Sequence, residues 1–386
     1  MNKQTVTERI EKSQKTASTL PSEAVPGNQA VLHTDRGNLL IANCTSGFPL
    51  AAKTVKRYET DLVASGSSGE FRFLQNVDTR FPDGESCAEL TEYVSGHDVF
   101  LFQSLYHPEN DACVDKNYLA FLIAVRTFKE HGARHITGVL PYLAYARQDK
   151  PTRFRREPTT ARLMADFSVA AGLDRLVTWH PHCEQLKGFY GTTRADMLEP
   201  FSLFVNEFRK SEGDSKVIAV APDAGASRLV TYFSRALDIT SAVASKYREG
   251  QNVEISEVIG NFKGKKKVII LDDILSSGNT VFELIRKINE KYSIDEITIA
   301  VSHNLCTPEA LEKLTELHRS GNLKEVVVTN SIPQTASFTS LPFFRVKCLS
   351  DYLFTAIQRI HRNESLSDVF LKDIINTAAH DNHGSR

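Results

Sequence analysis

The chain has 386 residues, 41% hydrophobic and 24% charged, with 46 Lys and Arg against 47 Asp and Glu for a formal net charge of −1. That length implies two domains, or three, of ordinary soluble globular composition. The balanced charge excludes the broad electrostatic attraction that non-specific nucleic-acid or anionic-membrane binding needs. No apolar run reaches the ~20 residues of a membrane helix. The polar start of the chain, with Pro21 and Pro26, has no apolar core of the secretory kind. Residues 1–34 read as a loosely ordered extension with room for one short helix at 6–15. The six cysteines (Cys44, Cys87, Cys113, Cys183, Cys306, Cys348) are scattered without a CxxC pair. Reduced thiols in a cytoplasmic protein, with no zinc site, are the simplest reading.

Strands and helices then alternate. Residues 37–43 (GNLLIAN) predict a strand, 49–58 an amphipathic helix, 71–74 and 98–103 (DVFLFQ) two further strands. A helix over 117–129, a strand over 135–141 (HITGVLP), a helix over 159–171 and a short strand over 176–178 follow. The pattern restarts at 217–221 (VIAVA), with a helix over 227–236 and strands at 239–244 and 253–259 flanking a polar segment. Residues 268–272 (VIILD) form a buried strand and 280–291 a helix. Residues 296–302, 307–319, 325–329, 344–349 and 352–362 continue the alternation. The expected fold is α/β, with two similar parallel-sheet domains at 35–200 and 201–373, each sheet covered on both faces. The last helix is expected to pack back on the first domain, and residues 374–386 to fray. Lys265, Lys266 and Lys267 read as a solvated turn before a strand.

One segment carries chemistry, Val268-Ile-Ile-Leu-Asp-Asp-Ile-Leu-Ser-Ser-Gly-Asn-Thr280. An apolar strand ends in two carboxylates, Asp272 and Asp273, and ligands of open α/β sheets bind at such strand ends. Ser276, Ser277, Gly278, Asn279 and Thr280 then offer hydroxyls and backbone N–H groups at a helix N-terminus, a phosphate site. The carboxylates suit the vicinal hydroxyls of a ribose. The chain has no GxxxxGK[ST], so this is not a P-loop.

The segment resembles the phosphoribosyl-diphosphate loop of type I phosphoribosyltransferases. Further motifs occur in the order seen in ribose-phosphate diphosphokinases. They are Phe81-Pro-Asp-Gly-Glu85, Tyr142-Leu-Ala-Tyr-Ala-Arg-Gln-Asp149, His182-Cys-Glu-Gln-Leu-Lys-Gly-Phe189, Ala221-Pro-Asp-Ala-Gly225, Asn330-Ser-Ile-Pro333 and the closing Ile360-His-Arg-Asn-Glu-Ser-Leu366. This resemblance covers roughly residues 38–370 and implies type I phosphoribosyltransferase-like domains. It also implies diphosphate transfer from Mg-ATP to O1 of ribose 5-phosphate. Under it, Arg147 and Gln148 hold ATP. Phe81, Asp83 and Glu85 reach adenine from a neighbouring subunit of a homo-oligomer, a dimer to a hexamer. His182 and Asp223 match magnesium-associated positions, with His182 also on ATP. Mg²⁺ takes one or two protein ligands plus phosphates and water, and His is an uncommon donor to so hard an ion. Lys246 and Arg248 match the catalytic Lys-x-Arg, and i and i+2 share a face on an extended segment.

The sequence departs from the family pattern in ways that bear on the substrate. His180-Pro-His182 replaces the usual Asp-Leu-His, removing a carboxylate near the metal. The sugar-phosphate loop lacks the usual acid and one glycine. Asn279 stands at that glycine, with a backbone expected to tolerate left-handed angles and a side chain facing the ligand. Arg153-Phe-Arg-Arg156 has no close match. The altered loop motivates a second reading, the same transfer to a larger 5-phosphorylated ribose such as ADP-ribose. A third is a non-catalytic regulatory subunit, against which the retention of Lys246, Arg248, His182 and Asp223 speaks.

Overall fold

The computed structural model describes residues 33–64, 71–109, 113–152, 154–249 and 252–367. The N-terminal extension up to residue 32, Arg153 and the tail after Asp373 lie outside them. The first half forms β1 (His33–Thr34), β2 (Gly37–Asn43), α1 (Phe48–Ala64), β3 (Arg72–Leu74), a hairpin of β4 (Asp78–Arg80) and β5 (Ser86–Ala88), and β6 (Asp98–Phe102). It continues with α2 (Val114–Glu130), β7 (His135–Val139), α3 (Thr160–Ala171), β8 (Arg175–Trp179), β9 (Arg194–Leu198) and α4 (Phe201–Phe208). The sheet order is β1-β2-β6-β7-β8-β9, with β3 also on β2, and every pairing but β1–β2 is parallel.

The second half repeats the plan. It runs β10 (Val217–Ala221), α5 (Ser227–Ala236), β11 (Thr240–Glu249), β12 (Asn252–Gly260), β13 (Lys267–Leu275), α6 (Asn279–Lys291), β14 (Glu296–Asn304), α7 (Pro308–Ser320), β15 (Leu323–Thr329), α8 (Ala336–Thr339), β16 (Phe344–Lys347) and α9 (Ser350–His361). The order is β12-β11-β10-β13-β14-β15-β16, and only β11–β12 is antiparallel. No helix among the described residues is long and apolar enough to cross a membrane.

Central strands read as continuous apolar runs because helices cover both faces of the sheet. In β13, Val268, Ile269, Ile270 and Leu271 are all buried. Helix α6 turns Val281, Leu284, Ile285 and Ile288 inward at helical spacing onto the outer face of the second sheet. Helices α1, α4, α5 and α9 supply an apolar layer shared with both sheets, including Trp179, Phe204, Phe233, Leu353 and Ile357. Helix α9 lies against α1: the Tyr58 and Phe354 rings are 4.5 Å apart and Arg57 Nε is 3.0 Å from Asp351 Oδ1. Its last residue, His361, reaches the buried Asp98 of β6 at 2.8 Å.

Several elements differ from the sequence expectation. Strand β9 and helix α4 are unanticipated. The first is a short strand at the sheet edge with half-buried polar residues, and the second is apolar nearly all round, so neither shows a clean period. Strands β11 and β12 run into the polar segment, because beyond Val243 they pair with each other and no longer with β10. Strand β13 runs three residues past Asp272. Lys265 is not in a solvated turn: it is buried, and its ammonium donates to the carbonyls of Ser215 and Val217 at 2.7 and 3.1 Å.

Candidate active site

A cleft of about 740 Å³ opens at the carboxyl ends of β10 and β13. Arg147, His180 and His182 wall it from the first half. Asp223, Lys246 and residues 272–281 wall it from the second. Strand β13 delivers the two carboxylates, and its parallel partner β14 fixes their height, with Asp272 opposite Val301 and Ile274 opposite His303. The Asp273 amide donates to Asp272 Oδ1 at 2.9 Å. The chain then turns at Gly278, whose φ of 77° is the left-handed region that favours glycine, and enters α6. Asn279 is the first helical residue, so the left-handed position falls on Gly278 and not on Asn279. The Asn279 Oδ1 accepts from Lys313 of α7 rather than being left for a ligand.

The two histidines of the His-Pro-His turn do different things. His182 Nδ1 lies 2.7 Å from Asp273 Oδ2. That hydrogen bond raises the imidazole above its ordinary value, against the opposing effect of burial. Burial by itself would raise Asp273; the hydrogen bond from His182 and the neighbouring imidazoles outweigh it and hold the carboxyl well below the ordinary range. His180 has a φ of 43° and turns its Nδ1 to Ser302 Oγ at 2.6 Å. Its carbonyl faces His303 Nε2 at 3.0 Å, and His303 Nδ1 meets Ser331 Oγ at 2.8 Å. Burial pushes His180 down to about 3 and also lowers His303, so both are neutral at pH 7. The residue that replaces the family's acid therefore ties the first sheet to β14.

Asp223 sits between β10 and α5. Its Oδ1 accepts from the amides of Gly225 and Ala226 at 2.9 and 3.3 Å, and its Oδ2 lies 3.3 Å from Lys246 Nζ. Lys246 follows an irregularity in the β11–β12 register that sits between Ser245 and Lys246, the kind of bulge that re-aims a side chain. Asp272 is raised well above the usual carboxylate range, first by burial and then by the charges of Asp273 and Asp223.

Two family descriptions match the chain. Residues 40–172 match the N-terminal domain of ribose phosphate pyrophosphokinase, and residues 215–371 match the phosphoribosyl synthetase-associated domain. The ribose-phosphate pyrophosphokinase of Chromobacterium violaceum is 31% identical over 301 residues, covering 78% of this chain and 88% of that protein. The chain belongs to the ribose-phosphate pyrophosphokinase family. The Pasteurella multocida pyrophosphokinase is 33% identical over 293 residues, covering 75% and 89%. The crystal structure of phosphoribosylpyrophosphate synthetase from Mycobacterium smegmatis matches with a TM-score of 0.72 at 28% identity, over 84% of this chain and 99% of that one. The chain is thus a pyrophosphokinase-family enzyme.

The pyrophosphokinase motifs are only partly gathered in this cleft. Arg147, His182, Asp223, Lys246, Asp272, Asp273 and the 276–280 loop all line it. Gln148 does not: its side chain is exposed and its backbone serves structure, with the amide on Tyr145 O and the carbonyl accepting from Ala161. Phe81, Asp83 and Glu85 sit on the β4–β5 turn, closed by Phe81 N to Glu85 O at 2.9 Å and Glu85 N to Asp83 Oδ1 at 3.0 Å. They lie outside the cleft, and Phe81 is 51% exposed. Arg248 lies on β11, but its side chain is outside the described part. Sequence reasoning missed Lys313 and Thr307, which donate to the carbonyls of Ser277 and Ser276. Lys313 is 36 residues beyond Ser277 and belongs to no motif, so nothing in the sequence signals it.

Among the described residues no three His, Cys, Asp or Glu side chains form a ready metal cage. Mg²⁺ needs none, since substrate phosphates and water supply most of its coordination. The crowding of Asp223, Asp272 and Asp273, with Asp272 penalised for its charge, fits a divalent cation. His182 fits less directly, because its Nδ1 is engaged by Asp273.

Proposed function

We propose that this cleft transfers the diphosphoryl group of Mg-ATP to O1 of ribose 5-phosphate, giving 5-phosphoribosyl 1-diphosphate and AMP. One observation carries the reading: Arg147 and His182 from the nucleotide motifs share a cleft with Asp272, Asp273 and the 276–280 loop. The loop and the N-terminus of α6 receive the 5-phosphate. Asp272 and Asp273 accept from the ribose hydroxyls. Arg147 takes the ATP phosphates, as a guanidinium suits. The O1 oxygen attacks the β-phosphorus, the bond from that phosphorus to the α–β bridging oxygen breaks, and its electron pair leaves with AMP. The O1 proton passes to solvent, since loose phosphoryl transition states need little help from a base. Lys246, with Arg248, stabilises charge on the transferred and leaving oxygens. Asp223, with His182 beside it, would hold Mg²⁺, which would supply charge neutralisation for the ATP phosphates.

The exposure of Phe81 outside its own cleft supports a homo-oligomer, from a dimer to a hexamer, in which Phe81, Asp83 and Glu85 complete a neighbour's adenine site beside Gln148. We take residues 35–200 and 201–373 as the two domains and the cytoplasm as the location. AMP release from ATP, followed chromatographically with ribose 5-phosphate and separately with ADP-ribose, tests the reaction. No turnover with ribose 5-phosphate would sink it, and turnover with ADP-ribose alone would establish the larger acceptor.

A further inference from the structure

We propose that Lys313 is a positioning residue of the sugar-phosphate loop, acting with Thr307 to aim the loop amides at the acceptor's phosphate. The inference rests on the sugar-phosphate reading of residues 276–280. Helix α7 reaches the loop at three points. Thr307 Oγ1 donates to Ser276 O at 2.9 Å, Lys313 Nζ donates to Ser277 O at 3.2 Å, and the same ammonium donates to Asn279 Oδ1. Two consecutive loop carbonyls are therefore held toward α7.

The described peptides are all trans. In a trans peptide the carbonyl and the following N–H point in opposite directions. Holding Ser276 O and Ser277 O on α7 turns the amides of Ser277 and Gly278 away from α7, to the side where these residues line the cleft. An ammonium on the Ser277 carbonyl also polarises that peptide and strengthens its N–H as a donor. The stem of Lys313 lies 3.7 Å from the position of a Cβ on Gly278, so it packs along the loop and is half-buried. Its charge stands beside a loop in which Ser276 occupies the place of the family's acid. The local balance is thus shifted toward positive where a dianionic phosphate is bound. Thr307 has a second duty as the N-cap of α7, accepting from Ala310 N at 3.2 Å. Lys313 is therefore the cleaner residue to change.

The test uses the full chain. Ribose 5-phosphate binding is measured by calorimetry, and KM for both substrates by AMP release, in wild type, Lys313→Met and Lys313→Arg. Met keeps the stem and removes the three donors. The expected result is a loss of about tenfold in ribose 5-phosphate affinity, the scale of one charge-assisted hydrogen bond. The KM for ATP and the unfolding temperature hold, and Arg restores most of the affinity. Unchanged ribose 5-phosphate affinity in Lys313→Met overturns the proposal. So does a loss shared equally by ATP, or one that Arg does not repair, because either marks general damage to the fold. Failure of the wild type itself to bind ribose 5-phosphate removes the underlying reading, before any variant is compared.

Discussion

Lys246 offers the most direct test of the chemistry. Its side chain is 11% exposed and its ammonium is 3.3 Å from Asp223 Oδ2. A unit charge at that distance interacts with another by about 5 kcal/mol at an effective dielectric of 20. Only the charge gained between ground and transition state accelerates the step. If the phosphoryl oxygens gain about half a charge, Lys246 supplies about 2.5 kcal/mol, or close to two orders of magnitude in kcat. Lys246→Met is therefore expected to lower kcat about 100-fold with both KM values nearly unchanged, and Lys246→Arg to recover part of the loss. The assay is steady-state AMP release under saturating ATP and ribose 5-phosphate, with thermal unfolding as the control for folding. The competing idea is that Lys246 merely neutralises Asp223. Under that idea Lys246→Met would lower the unfolding temperature, by leaving Asp223 uncompensated, while kcat stayed near wild type. A kcat within threefold of wild type for Lys246→Met would refute the catalytic assignment.

Three further outcomes follow from the same geometry. Asp272→Asn should raise the KM for ribose 5-phosphate by about tenfold or more, through the lost charge-assisted hydrogen bond. It should also raise the unfolding temperature at pH 7: a carboxyl whose folded value lies above its unfolded one opposes folding when ionised. A fall in both would contradict the crowding of carboxylates. His182, raised by Asp273, contributes stability below its ordinary 6.5 that is lost as pH rises through its folded value. Asp273, lowered, contributes above its ordinary 3.8 and loses that share as pH falls through its folded value. The pair is thus strongest between those two ordinary values. In NMR the His182 ring should titrate above 6.5, and Asp273→Asn should lower the midpoint; a wild-type midpoint at or under 6.5 would discard the pairing. Asp98, fully buried, accepts from Arg36 Nε at 2.8 Å and Nη2 at 3.0 Å and meets His361 at 2.8 Å. Asp98→Asn should cost about 3–5 kcal/mol, the usual penalty for breaking one side of a buried ion pair. Calorimetry should register it as a fall of roughly 6–20 °C, by scaling for domains of this size.

Local order was legible because strands and helices here obey their own periods. The apolar run before Asp272, the helical spacing of Val281, Leu284, Ile285 and Ile288, and the Ser-Ser-Gly-Asn-Thr turn are each local properties of the chain. They were enough for the α/β class, the repeated plan and the turn from β13 into α6. The ordered motifs added the pyrophosphokinase family. Tertiary structure decided what depends on residues far apart in sequence. Lys265 folds into the body of the second half, where two carbonyls replace its water. His180 meets Ser302 across 122 residues of chain, so an imidazole in an acid's place joins the two halves. Lys313 comes to residues 277–279 only because α7 packs beside α6. Hydrogen bonds of this kind follow from how helices and sheets stack, which no periodicity within a single element encodes. The sequence by itself determined which chemistry the loop from Asp272 to Thr280 can offer; the stacking of α7 against it decided how the Ser276 and Ser277 carbonyls are held.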